Sequence, residues 1–386
     1  MSLFSNGVAF SLHEDLDMFK KLIVVATLTA ACVSVAHSAD IKAYGVLDYS
    51  IGYFSTKIDG AESESGLQLD SGRWRGSRVG LKGQEDIGNG MKVSFVLENG
   101  FDADTGKLAQ GQRMFGREAQ LSLHTNYGTV AFGRMDSLSG LGSYGLTAGL
   151  SPFIAALGYA GQNNFLFGTA RYDNMITYRT PTFSGFTVTL QHSLQTDGIE
   201  KAGIQNNNRY YGVGVRWKNP TTVAALIGEH YRFSDNSVKP QDDAWAVLMY
   251  ANHKIGNARI HGHLQYMENA HKVGMPDVVN GSASLIKSRY SVTDDQGMTG
   301  YSMSLGLAYG IGGGTAKFGL SYLDLEDKGE TVKTTHTRTI GAIGYLYPLS
   351  KRTSIFAQAN YGQLHNKGGQ QDATYTQAFV GIDHNF

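Results

Sequence analysis

Stretches of about ten residues in which apolar and polar side chains alternate recur along most of this chain. Phe186, Val188 and Leu190 alternate with Thr187, Thr189 and Gln191, and Val93, Phe95 and Leu97 alternate with Lys92, Ser94 and Glu98. Ile260, Leu264 and Tyr266 alternate with Arg259, His261, His263 and Gln265, and Phe318, Leu320 and Tyr322 with Lys317, Gly319 and Ser321. A period of two belongs to strands with one apolar and one polar face. A soluble sandwich has the same period, so alternation alone leaves a sandwich and a membrane barrel both open.

Three features choose the barrel. The strands are long enough to cross a bilayer at a tilt. Short turns at 126–128, 218–221, 311–315 and 348–351 alternate with long connections near 56–72, 101–113, 136–171, 194–208, 268–297 and 362–373, as periplasmic turns alternate with outer loops. All 6 prolines fall between the expected strands, where no ladder hydrogen bond is lost. The expectation is an all-β, sixteen-stranded antiparallel transmembrane β-barrel with an infolded third loop. Its strands are placed near 41–55, 73–83, 91–100, 114–124, 128–135, 172–180, 186–193, 209–217, 222–233, 242–253, 258–267, 298–309, 315–323, 336–347, 352–361 and 374–386. The segments at 128–135 and 242–253 alternate poorly. An even count suits closure, and a barrel of this size keeps a water-filled lumen.

Composition narrows function. Charges balance, 33 Lys+Arg against 33 Asp+Glu, so no bulk basicity points to nucleic acid. The 21 Tyr and 18 Phe argue against disorder. Near the N-terminus, Met18-Phe19-Lys20-Lys21 precedes an apolar run at 22–36 and small residues at Ala36-His37-Ser38, the pattern of a secretory signal peptide. The expected organisation is a mis-assigned N-terminal extension at 1–17, a signal peptide at 18–38 and a barrel at 39–386, with cleavage near Ser38 or Ala39. An uncleaved anchor and a lipidated Cys32 are the weaker alternatives. Cys32 is the only cysteine, so the mature chain would have no disulfide.

Several blocks carry a family likeness. "AYGVLDYSIGY", "GSRVGLKGQEDIGNGMKVSFVLENGF" (76–101), "FGREAQLSLHTNYGTVAFGR" (115–134), "ARYDNMITYRTPTFSGFTV" (170–188) and the closing "AFVGIDHNF" together span the mature chain. In these blocks the chain resembles Gram-negative general porins of the beta-proteobacterial, neisserial and burkholderial type. The resemblance implies an outer-membrane homotrimer in contact with lipid and lipopolysaccharide, conducting ions and small hydrophilic solutes passively. It implies no enzyme activity and no cofactor. A substrate-selective channel and an adhesin-type surface barrel are the alternatives. The terminal Phe386 resembles the signal read by the barrel assembly machinery.

In such porins the third loop narrows the pore opposite basic wall residues. The resemblance assigns Arg78, Arg134 and Arg179 to the basic wall and Asp136 and Tyr144 to the loop side. Alternation independently puts Arg78 out of phase with Val79 and Leu81, whereas Arg134 shares the parity of Phe132 unless Gly133 kinks the strand. Enteric porins carry a Pro-Glu-Phe-Gly element on this loop. Here the corresponding stretch is "SPFIAALG", and no Asp or Glu occurs between Ser137 and Ala170. A basic wall with little opposing charge predicts a weak to moderate anion preference. Phe153 and Tyr159 are expected to pack against the wall.

Other motifs are weaker. Gly140-x-Gly142-x-x-Gly145 has the spacing of a dinucleotide loop, but no helix or acid follows as that fold needs. "GIGGGT" (310–315) lacks the Lys-Ser/Thr of a phosphate loop and reads as a turn. His261 and His263 share a strand face without an evident third ligand, so a lumen-facing polar row is favoured over a metal site.

Overall fold

The computed structural model describes residues 40–153, 165–235, 242–270, 297–327, 334–367 and 371–386. The extension, the signal peptide, Cys32, Tyr159 and most of the connection at 268–297 lie outside them. The described residues form eighteen strand segments: Asp40–Ile58 (β1), Glu64–Ser71 (β2), Arg78–Gly88 (β3), Met91–Asp102 (β4), Lys107–Leu108 (β5), Glu118–Thr125 (β6), Gly128–Asp136 (β7), Arg171–Arg179 (β8), Phe186–Ser193 (β9), Arg209–Lys218 (β10), Thr222–Arg232 (β11), Ala244–Ile255 (β12), Ala258–Ala270 (β13), Met298–Ile311 (β14), Gly314–Asp327 (β15), Thr334–Pro348 (β16), Thr353–Lys367 (β17) and Ala373–Asn385 (β18). Every ladder is antiparallel, consecutive strands from β6 to β18 pair with one another, and β18 returns to β1 with Ile51 opposite Val380. β2 and β3 share one position in the wall, both bonded to β1, and β5 is a two-residue side ladder on β4. The result is a closed barrel of sixteen strands.

Closure leaves no sheet edge unpaired in lipid, which is the physical condition for a β structure to span a membrane. The outer face carries exposed Ile51, Leu81, Leu121, Leu190, Leu226, Leu264, Leu320 and Val380. Aromatic pairs stand at both ends of this belt. Phe186 and Trp217 lie 6.3 Å apart beside the short turns, and Trp245 and Tyr266 lie 5.3 Å apart toward the long loops. The inner face is polar over much of its area, with buried Gln120, Thr177, Thr189, Gln191, Ser302, Gln358 and Gln377.

Two expectations change. The second wall strand, placed at 73–83 after a loop at 56–72, is two pieces, because residues 72–77 leave the wall and bend inward. Asp48, fully buried on β1, causes the detour: its carboxylate accepts the amides of Trp74 (3.3 Å) and Arg75 (3.2 Å), while Gly72 turns at φ 77°. Trp74 then stacks on Phe356 across 5.4 Å, and Arg75 Nε donates to Asp383 at 3.1 Å. Strands β15, β16 and β17 also run several residues beyond their expected outer ends. Beyond the lipid belt both faces meet water, so segments such as "QLHNK" at the end of β17 lose the alternation that marks a strand.

The poorly alternating β12 has a specific cause. Its inner positions are Ala244, Ala246, Leu248 and Tyr250, all buried, while Trp245, Val247 and Met249 face outward. The strand is apolar on both sides because something apolar covers it from within.

Candidate functional site: a channel lined by wall cations and a glycine-rich loop

The cover is the connection after β7. Leu138, Leu146, Leu150 and Leu166 pack on inner-face Ala225, Ile227, Leu248 and Tyr250. Farther along, Pro152 abuts Gly306, and the Phe153 ring lies against Gly319 and Gly344, where any larger inner side chain would occupy its place. Loop carbonyls take up wall donors. Asn252 Nδ2 donates to the Gly149 oxygen at 2.8 Å, His261 Nδ1 to the same oxygen at 2.9 Å, and Lys317 Nζ to the Pro152 oxygen at 2.8 Å. On the return leg, Phe167 exchanges two bonds with Gln265, at 2.9 and 3.0 Å.

The glycine spacing has its explanation at the start of this loop. The amides of Ser139, Leu141, Gly142 and Ser143 point at three carboxylates supplied by strand residues, while that of Gly140 donates to the Ser137 carbonyl. Ser139 donates to Glu229 through its amide (3.1 Å) and hydroxyl (2.5 Å). Leu141 (3.1 Å) and Gly142 donate to Asp136, and Ser143 donates to Glu118 through its amide (2.7 Å) and hydroxyl (2.5 Å). Successive amides turned to one side form an anion-binding concavity, and here the anions are the protein's own. A Cβ on Gly140 would strike Asp136, one on Gly142 would strike Glu118 and Asp136, and one on Gly145 would strike the Gly140 carbonyl. The loop carries no acid of its own from 138 onward, and the wall brings the acids to it. Tyr210 completes the fit, donating to Glu229 at 2.7 Å while its oxygen accepts the Leu138 amide at 3.1 Å.

The expected basic residues separate into different settings. Arg179 stacks over the Tyr144 ring at 4.7 Å and donates to the carbonyls of Ser143 (3.2 Å) and Tyr144 (2.9 Å). Its partners are neutral, so its charge faces the lumen uncompensated. Arg78, on the inner face of β3, lies 3.9 Å from Glu98. Arg134 stands opposite Ala119, on the face of Phe132, before the ladder slips between Gly133 and Met135. Its guanidinium is 2.6 Å from Asp173, which also binds Arg113 at 2.7 Å. The structure therefore brings Arg179 to the loop, sets Arg78 on the neighbouring wall, and gives Arg134 to an ion-paired cluster on the other face.

Asp136 is a loop anchor and also lies 3.0 Å from Arg171. Tyr144 is buried, shares a 2.8 Å hydrogen bond with Ser122, and burial raises its phenol above the ordinary tyrosine value. Phe386 closes the seam through two backbone bonds with Gly45, at 3.1 and 3.2 Å. His261 and His263 point inward from β13; among the described residues no group of three or more His, Cys, Asp or Glu is placed to hold a metal.

Sequence reasoning missed Arg117, which shares Glu98 with Arg78 through a 2.5 Å bond. It precedes lumen-facing Glu118, so its parity reads as outward, and only the strand start lets it turn in. It also passed over Arg216, Arg259 and Lys317, whose inner-face parity was readable. Along β10–β17, Glu229 is the one inner-face carboxylate among the described side chains.

Comparison with known proteins agrees with this architecture. A family model described as Gram-negative porin matches residues 23–385. An outer membrane porin protein of Bordetella pertussis is 30% identical over 395 residues, covering 95% of this chain and 100% of that protein. Outer membrane porin protein 32 of Delftia acidovorans is 28% identical, covering 96% and 100%. Among solved structures, an anion-selective porin from Comamonas acidovorans superposes with a TM-score of 0.65 at 23% identity, covering 90% of this chain and 100% of that one. A trimer form of OmpT from Vibrio cholerae superposes with a TM-score of 0.57 at 15% identity, covering 91% and 100%.

Proposed function

The chain belongs to the Gram-negative porin family, and on that premise we propose an anion-preferring channel that works as a homotrimer. It is an outer-membrane porin that lets small solutes diffuse through a water-filled barrel. The observation that carries the anion preference is Arg179. It sits at the loop with two carbonyls, the Thr189 hydroxyl and an aromatic ring as its neutral partners, while the acids nearest the loop are occupied by its amides. Fixed positive charge in a narrow, low-dielectric passage concentrates anions and repels cations. Arg78 adds to that field from the neighbouring wall; Arg134 is bound to Asp173 and contributes less. The name of the Comamonas porin and the trimeric form of the Vibrio protein support the two parts of the reading.

The rest of the reading follows the same line. Residues 18–38 direct export and are removed, and Phe386 serves as the assembly signal at the barrel seam. The protein catalyses no reaction; its work is selection by size and charge. Planar-bilayer recording tests the proposal. Chloride carrying more current than potassium, in conductance steps that come in threes, is the expected result. A cation-biased reversal potential would overturn the selectivity, and single unequal steps would overturn the trimer.

A further inference from the structure

On the lipid-facing side of the barrel, two arginines meet at the long-loop end of the wall. Arg209 opens β10 and Arg232 closes β11, and the ladder sets them directly opposite each other. Both share the parity of exposed Tyr211, Val213 and Leu226 on the same strands, so both point outward. Like charges facing each other across a ladder repel, and the described residues offset this pair only in part. Arg232 lies 3.9 Å from Asp235, whereas Arg209 makes no ion pair among the described residues. The other acids of this rim are turned elsewhere. Asp243 lies 3.5 Å from His230 and accepts the Phe233 amide at 3.2 Å, and Glu268 stands farther along, opposite Trp245.

Just below the arginines the same face carries an aromatic row. His192 stacks on Tyr211 with ring centres 4.5 Å apart, Tyr211 lies 5.9 Å from His230, and His230 stands opposite Trp245. Tyr and Trp in such a row mark the level where hydrocarbon gives way to headgroups, so the arginines stand at the depth of the outer-leaflet phosphates. Two recesses lie beneath the row. Gly228, between Val213 and Val247, leaves a notch in which an added Cβ would touch only Val213, at 3.5 Å. Lower down, Ala224, Ala251 and Gly262 stand side by side in a hollow walled by Leu226, Met249 and Leu264. From Arg232 to Ala224 the strand rises about 26 Å, at about 3.3 Å per residue. At a tilt near 45° that is about 19 Å of depth, more than half of a hydrocarbon core about 30 Å thick.

We infer that this face of β10–β12 is a binding site for a phosphorylated lipid of the outer leaflet. Arg209 and Arg232 share its phosphate, which removes their mutual repulsion, and an acyl chain runs past Gly228 toward the hollow at Ala224. Free phosphate satisfies only the first half of the site, whereas a lipid spans both. The site lies outside the channel and stands on the outer-membrane location alone, so it is independent of ion preference.

The test uses the full protein in detergent, with bound lipid counted by native mass spectrometry as bisphosphorylated lipid A is titrated in. Arg209→Gln combined with Arg232→Gln should raise the half-saturating concentration by about tenfold, as two cations at the headgroup level are lost. The same double variant should bind the lipid stripped of its phosphates as the native chain does. Gly228→Leu fills the notch without removing charge and should weaken binding of both lipids several-fold. Planar-bilayer conductance should be native in each variant, because no pore-lining group is altered, and this confirms a folded barrel. Unchanged affinity in the arginine variant overturns the clamp, and unchanged affinity in Gly228→Leu overturns the chain path. Displacement of the lipid by an equal concentration of inorganic phosphate would make this a plain anion site and overturn the lipid assignment. Loss of the oligomer in the arginine variant would assign the face to a subunit contact and overturn it as well.

Discussion

Glu118 and Ser143 meet with the carboxylate on a wall strand and both donors on the loop, amide at 2.7 Å and hydroxyl at 2.5 Å. Charge-assisted bonds of this kind contribute about 1.5–3 kcal/mol each way when one partner is removed. Glu118→Ala should therefore free this end of the loop without opening the barrel. The expected record is a noisier open channel with larger mean conductance. An unchanged trace would show that the loop is held elsewhere.

Gly142 tests the same seat from the other side. Gly142→Ala places a methyl against Glu118 and Asp136, an overpacking cost of about 1–3 kcal/mol. Hydrogen exchange should quicken at the amides of Ser139, Leu141, Gly142 and Ser143 while the wall ladders stay protected. Equal protection in the variant would mean that the close approach is not required.

Arg179 and Arg134 make contrasting predictions despite their similar motifs. Arg179→Gln should lower the anion-to-cation permeability ratio by about twofold or more, since a lumen charge with neutral partners is lost. Arg134→Gln should leave the ratio nearly unchanged, because that guanidinium is bound to Asp173. Reversal potentials measured under a salt gradient decide both, and a larger effect at Arg134 would contradict the geometry.

Tyr144 gives a pH dependence. Burial raises its phenol above the ordinary value of 10.0, so the neutral form is favoured in the seated loop. The stabilisation is fully present below the unfolded value and is lost as pH rises through the folded one. Open-channel noise should thus grow above pH 10, where free tyrosine ionises. Tyr144→Phe should abolish that alkaline component, and a variant as pH-sensitive as the native chain would remove Tyr144 as its source.

Much of this was legible from residue order alone. The closed barrel follows from alternation, proline placement and the rhythm of short and long connections. Arg78 was placed by its phase against Val79 and Leu81. What escaped depended on contacts between distant segments. The detour at 72–77 is dictated by Asp48, more than twenty residues earlier. The setting of Arg134 turns on a ladder slip after Gly133, which no periodic pattern announces. The absence of acids in the loop was read correctly, but the acids that bind its amides sit on β6, β7 and β11, and only the folded chain brings them together.

The double-sided apolarity of β12 has a consequence for how the molecule is made. A strand reading Ala-Trp-Ala-Val-Leu-Met-Tyr carries little information about which side belongs to lipid, and a one-residue slip would cost it little by itself. The leucines at 138, 146 and 150 supply the missing information, because only one orientation gives them Leu248 and Tyr250 to rest on. The segment that narrows the passage thus also proofreads the wall. A barrel whose plug has not settled exposes an oily strip to water, marking it as unfinished before any solute arrives.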